Sequence, residues 1–357
     1  MKTNKLLQAF CGCALLASIT STQAVENIGF VYVSPAAEAG WTHQHDQGRQ
    51  QMEKALGGKV TTKYVESVPE GADAERVIRE MAKRGDKVVF GTSFGYMNQM
   101  LKVSKQYPNT AFLHATGYKM GKNMGLYNAR FYEARYLTGV IAGEMTKSNK
   151  LGYVAAFPIP EVLQGINAFI SGARSVNPDA ELSVIWVNSW YDPGKERQAS
   201  MTLISQGADV LTHHTDSTSV VQTAEDKGVY AIGYHSDMSS FGPKTHLTAA
   251  THHWGDYYTK IVQSVLDGSW KPESIWGGYK ENMVSLAPIS DKVPASVQQK
   301  IKEMEDQLRA GTLHPFAGPV VDQDGKVRVA AGETMSDGDL NTMDFYVQGV
   351  TSKLPKK

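Results

Sequence analysis

Short runs of β-branched and aromatic residues alternate with helical patterns along almost the whole chain after residue 24, and nothing else in the sequence constrains the fold so strongly. Such alternation is what βα units around parallel sheets require, because each helix must cover a sheet face before the next strand pairs. The candidate strands are Ile28–Val33, Lys87–Gly91, Ala111–Ala115, Leu151–Ala156, Leu182–Val187, Val210–His214, Val229–Tyr234 and Leu247–Thr251. Between them, Asp73–Arg84, Ala134–Thr146 and Val162–Val176 carry apolar residues at three- and four-residue spacing, the signature of a helix with one buried stripe. Asp192-Pro193, ahead of Lys195-Glu196, is a helix start with a capping carboxylate and a proline at the first turn. The expected class is α/β.

A chain of 357 residues exceeds the usual size of one core, so two lobes are expected. Residues 26–131 with 249–281 read as lobe 1, and 132–248 with 282–357 as lobe 2; the repeated crossing makes a hinge and leaves a cleft between two sheets. Beyond Pro288 the pattern changes: Val293–Arg309 is a charged amphipathic helix, and Phe316–Ala331 reads as a hairpin turning at Asp322-Gln323-Asp324-Gly325. Residues 1–24 read as a signal peptide. Lys2 and Lys5 precede an apolar run from Leu6 to Ile19, and Ala24 offers a small residue for cleavage, so the mature protein is expected in the periplasm. Both cysteines, Cys11 and Cys13, fall in that segment, and Phe10 before Cys11 argues against a lipid anchor. Basic and acidic residues balance at 36 each, with no basic stripe, which disfavours nucleic acid as a partner.

Ligands of open α/β sheets meet the loops that follow the carboxyl ends of the strands. Here those loops are rich in rings, carboxylates and hydroxyls, with no phosphate-binding glycine motif and no arginine. A neutral, flat molecule suits such a lining. Trp41, after Gly40 on a loop, is the leading ring; a stacked heterocycle contributes about 1–3 kcal/mol. Phe94, Phe157, Trp190 and Trp254 are further candidates, each equally able to pack a core or hinge. Asp237 and Asp216 end their strands and can accept N–H groups from a ligand, or instead cap the helices that follow. Glu161, after Pro158-Ile159-Pro160, has a similar claim. The paired histidines, His213-His214 and His252-His253, face opposite ways along a strand and have no zinc-type spacing, so no metal is expected. No cofactor is implied. Without a nucleophile elbow or a mature cysteine, an enzyme is not expected either, an exported hydrolase being the remote alternative.

Several stretches together resemble one family. Phe131–Gly143 is similar to an F-R-E-x-E-x-x-Y-L-x-G-x-x-A-G segment, Ile159-Pro160 with Phe169, Gly172-Ala173 and Asn177-Pro178 to a second-lobe opening, Gln206–Val210 to a G-A-D-V strand lead, and Ser236-Asp237 to a strand-end turn. On these residues the chain resembles the basic membrane protein (BMP) family of ABC-transporter substrate-binding proteins, which includes purine nucleoside receptors. The resemblance implies a type I periplasmic-binding-protein fold, two doubly wound Rossmann-like lobes joined by a multi-strand hinge, with a purine-like ligand between them and an ABC permease in the inner membrane as partner of a monomer. It places Trp41 at the stacking ring and Asp237 at a ligand-contacting acid. Ser34, Thr42 and Ala115-Thr116-Gly117 replace polar residues that suit ribose, which favours a free base, adenine first, then hypoxanthine or guanine. A nucleoside binder or a sensor that presents its ligand to a receptor is the alternative.

Overall fold

The computed structural model describes residues 25–355. The expected signal peptide, with Cys11 and Cys13, lies outside the described residues. The chain begins with β1 (Glu26–Val31), α1 (Trp41–Leu56), β2 (Val60–Val65), α2 (Ala72–Arg84), β3 (Val88–Gly91), α3 (Met97–Ser104), β4 (Ala111–Ala115) and β5 (Met124–Ala129). It continues with α4 (Phe131–Met145), β6 (Lys150–Ala155), α5 (Pro160–Arg174), β7 (Glu181–Trp186), α6 (Pro193–Ser205), β8 (Val210–His214), α7 (Ser219–Lys227), β9 (Tyr230–His235) and β10 (His246–His252). The remainder is α8 (Gly255–Leu266), β11 (Ser274–Gly277), β12 (Val284–Leu286), α9 (Ala295–Ala310), β13 (Val320–Val321), β14 (Val327–Val329) and α10 (Asp337–Asn341).

These strands build two six-stranded sheets, in the orders β11-β5-β4-β3-β1-β2 and β12-β10-β9-β8-β6-β7. Within these two sheets all pairs are parallel except β10 with β12, and β13 pairs with β14 antiparallel in a separate two-stranded sheet. Each sheet reverses its strand order once, between β1 and β3 in the first and between β6 and β8 in the second, and a crevice opens at such points. The chain passes between sheets three times: from β5 to β6, from β10 through α8 to β11, and from β11 to β12. A lobe boundary at residue 249 therefore falls inside β10, which pairs with β9 and β12 of the second sheet along its length.

The sequence pattern does not single out β2, β5, β11 or β12. β2 carries a lysine and a half-exposed face at a sheet edge, β5 interrupts its apolar run with glycine and asparagine, and β12 is three residues long. Asp192 caps α6 as expected, accepting the Lys195 N–H at 3.0 Å. The tail lies on the second sheet's unit: Val350 bridges Leu182, and Asn167 of α5 accepts the Val347 N–H at 3.0 Å.

Two glycines explain one conspicuous stretch. A Cβ on Gly139 of α4 would collide with the backbone of Phe169 on α5, and one on Gly172 of α5 with the carbonyl of Tyr136. The two helices thus touch backbone to backbone, which small residues alone allow. Arg135, fully buried on α4, uses this closeness to donate to Thr212 Oγ1 at 3.0 Å and to the His213 carbonyl on β8. No helix among the described residues is long and apolar enough to cross a membrane.

Candidate functional site

The carboxyl ends of both sheets face each other across one cavity of about 380 Å³, counting its mouth. From the first lobe come Val33, Trp41, Thr92, Ser93, Phe94 and Thr116; from the second come Glu161, Trp190, His214, Thr215, Asp216 and His235. Neither lysine nor arginine is in the lining. Thr116 and His235 hold the left-handed backbone region at φ 62° and 73°, a strained geometry in non-glycine residues that concentrates where a scaffold aims side chains at a site.

Trp41 is not on a loop. It is the first residue of α1, 8% exposed, and its indole N–H donates to the Thr92 carbonyl at 2.6 Å. Rings from both sheets surround it: His45 at 4.4 Å, and His235 and His252 at 5.3 and 5.1 Å between centroids, all edge-on. This arrangement fixes the indole with part of its surface against the cavity.

Asp216 holds the two halves together. Its carboxylate accepts the Ser34 hydroxyl and the Trp41 backbone N–H, so an acid at the end of β8 caps a helix of the other sheet. The Ser34 and Thr42 hydroxyls are also 2.6 Å apart, and the Gly40 N–H donates to Ser236 Oγ at 2.8 Å. Any Cβ at residue 40 would strike Asp216, and its φ of 106° also suits only glycine. Burial pushes the Asp216 carboxyl up to about 7, against the lowering effect of its hydrogen bonds. A second clasp closes the mouth: Trp190 Nε1 donates to Glu70 Oε1 at 3.1 Å, and the same oxygen accepts from Ser93 Oγ at 2.6 Å and the Gly95 N–H at 2.9 Å. Glu70 escapes sequence reasoning because it lies in the connection before α2, far along the chain from the residues it joins.

Of the candidates, Trp41, Phe94, Glu161, Trp190 and Asp216 meet around this cavity. Three do not. Asp237 is exposed and accepts the Ser239 N–H at 2.9 Å, the local capping role that competes with ligand contact for any strand-end aspartate. Trp254 is 1% exposed and stacked on His45 at 4.9 Å, where Gly48 of α1 lets it approach, so its ring is core between α1 and α8. Phe157 backs Trp190, ring edge to face at 5.0 Å, without entering the lining. His214 and His235 enter unforeseen; the alternation that sends His213 the other way puts His214 on the cavity side. Among the described residues, no group of three or more His, Cys, Asp or Glu is placed to hold a metal ion.

Two parallel sheets crossed three times by the chain, with a clasped pocket between their carboxyl ends, define a solute-binding protein of the type I periplasmic class. The chain belongs to the Bmp family of ABC transporter substrate-binding proteins, PnrA-like, which it matches over residues 25–312. It is 51% identical to a purine-binding protein of Brucella abortus over 92% of this chain and 94% of that one. It is also 39% identical to a putative ABC transporter glucose-binding protein of Haloferax volcanii, over 92% and 81%. A solved ABC transporter solute-binding protein from Aeropyrum pernix superposes with a TM-score of 0.70 at 16% identity, over 84% of this chain and 95% of that one, and shares the fold. As a substrate-binding protein of an ABC transporter, it has a membrane permease as its partner.

Proposed function

We propose that this protein captures a free purine base, adenine first and hypoxanthine or guanine next, in the periplasm after export, and delivers it to its permease as a monomer without transforming it. The observation that carries this reading is the interlobe cavity, walled by the Trp41 indole, Phe94 and Trp190 and edged by uncharged or acidic polar groups with no cation. Such a wall suits a neutral heterocycle through stacking, and an anion finds no partner there. The 51% identity to a purine-binding protein supports the same class. The Ser34 hydroxyl is engaged by Thr42 and Asp216, so it is not free for ribose, which supports a base over a nucleoside. On this reading the unit around the first sheet and the unit around the second, with β10 kept whole in the second, move as two bodies. The base stacks on Trp41, the carboxyl of Glu161 meets its polar edge, and Asp216 and Glu70 latch the closed form.

Calorimetric titration with adenine, hypoxanthine, guanine, adenosine and glucose tests it. Micromolar or tighter binding of adenine, at least about tenfold stronger than adenosine and with no response to glucose, is the expected result; each tenfold corresponds to about 1.4 kcal/mol. Tighter binding of adenosine, or of glucose, overturns the assignment.

A further inference from the structure

Behind Trp41 the polar wall of the cavity is built by Glu161 at the start of α5 and His214 at the end of β8, with Glu161 Oε1 3.7 Å from His214 Nε2. Their side chains are 11% and 3% exposed. Glu161 Oε2 and His214 Nδ1 have no hydrogen-bond partner, and a buried polar atom left so costs about 1–3 kcal/mol. Glu161 also lines an adjoining cavity of about 450 Å³, counting its mouth, that reaches Asn128 and Gln164. A carboxyl with one oxygen left unpartnered at a cavity wall has hydrogen-bonding capacity to spare. It suits a ligand.

We infer that Glu161, beside His214, is the specificity-determining group that reads the hydrogen-bonding edge of the bound heterocycle, and that it offers one donor and one acceptor at once. This rests on the purine reading and narrows it. Burial pushes the Glu161 carboxyl up to about 8, while burial and the nearby Arg135 hold His214 well below its ordinary value. The groups facing the pair are Tyr153 on β6, His213 on β8, Tyr234 and His235 on β9, Asn128 on β5 and Arg135 on α4, whose guanidinium lies 3.4 Å over the Tyr234 ring. The shift of Glu161 favours the protonated acid at neutral pH. A carboxylate would match two adjacent donors, such as the imino and amino groups of guanine. An uncharged acid matches a donor beside an unprotonated ring nitrogen, such as the amino group and ring nitrogen of adenine.

The test is titration of adenine into the full protein and into Glu161→Gln, Glu161→Ala and His214→Phe, from pH 6 to 9, with melting curves to confirm folding. A glutamine keeps one donor and one acceptor but does not ionise. It should bind adenine within about threefold of the parent at pH 7, whereas the alanine variant weakens at least about 30-fold, the loss typical of an uncompensated buried bond. Parent affinity should fall towards about tenfold per pH unit above pH 8, and Glu161→Gln should lose that fall, keeping only the change near pH 7 that Asp216 imposes on both. His214→Phe should weaken adenine and move the midpoint of the parent's profile. A glutamine variant as weak as the alanine one means that Glu161 acts as a carboxylate and overturns the proposal, as does an alanine variant that binds normally. If the parent binds no purine, the proposed function falls and takes this inference with it; if the parent binds and the variants do not differ, only the inference falls.

Discussion

Asp216 engages both of its oxygens inside the protein, on Ser34 and on the Trp41 backbone, so the hydrogen bonds it makes join the two lobes. Asp216→Ala should leave the first turn of α1 uncapped, a loss of about 0.5–2 kcal/mol, and favour the open form; small-angle scattering should show a larger ligand-free molecule. Trp41→Ala removes the stacking wall and should weaken purine binding by about 1–3 kcal/mol in calorimetry. Asp237→Ala, at an exposed local cap, should change purine affinity by less than about twofold, and a larger loss would return Asp237 to the site.

At the scale of elements, the molecule depends on the contact between α4 and α5, because α4 carries the chain from one sheet to the other and Arg135 from that helix braces β8 behind His214. Gly139→Ala should force the two helices apart and destabilise the fold by about 1–3 kcal/mol in denaturant unfolding, since the obstructing atoms are backbone and cannot rotate away. The crossing from β5 is also pinned from the tail. Arg130 makes two 2.7 Å bonds to Asp337 of α10 while its guanidinium lies 4.5 Å over the Trp276 ring, so β5, β11 and the tail share one side chain at the hinge. The tail helix and hairpin are legible in sequence because local periodicity and turn residues specify them. Their attachment is not, because Asp337 lies far along the chain from Arg130.

For the whole molecule, buried ionisable groups set an optimum in pH. Burial holds His45, His114, His213, His214, His235, His246 and His252 below their ordinary value, so the unfolded chain takes up more protons as pH falls below about 6.5 and stability drops. Glu133 and Asp216 are pushed up to about 7 and Glu161 to about 8, so the folded form keeps protons that the unfolded chain has already released. Stability from these acids is full at low pH and is lost as pH rises through their folded values. Melting temperature should therefore peak near pH 6.5–7 and decline on either side, with the alkaline decline smaller in Glu161→Gln. A monotonic rise to pH 9 would contradict the burial of these acids.

Strand and helix periodicity, the glycine-rich α4 segment and the Asp192 cap are local properties, and they determine an α/β chain of parallel βα units with a distinct tail. The site is legible only as far as strand ends can be counted, which is enough to bring Trp41, Phe94, Glu161, Trp190 and Asp216 to one rim. What each of them does there depends on groups far away in the chain. Asp216 becomes a clasp because Ser34 and the first turn of α1 lie opposite it, Trp254 becomes core because Gly48 admits it, and the Glu161 carboxyl at the start of α5 is pushed up by its burial. Periodicity encodes which face a side chain takes; only the packing of one sheet against the other decides which partners it finds, because hydrogen bonding and desolvation are set by neighbours in space.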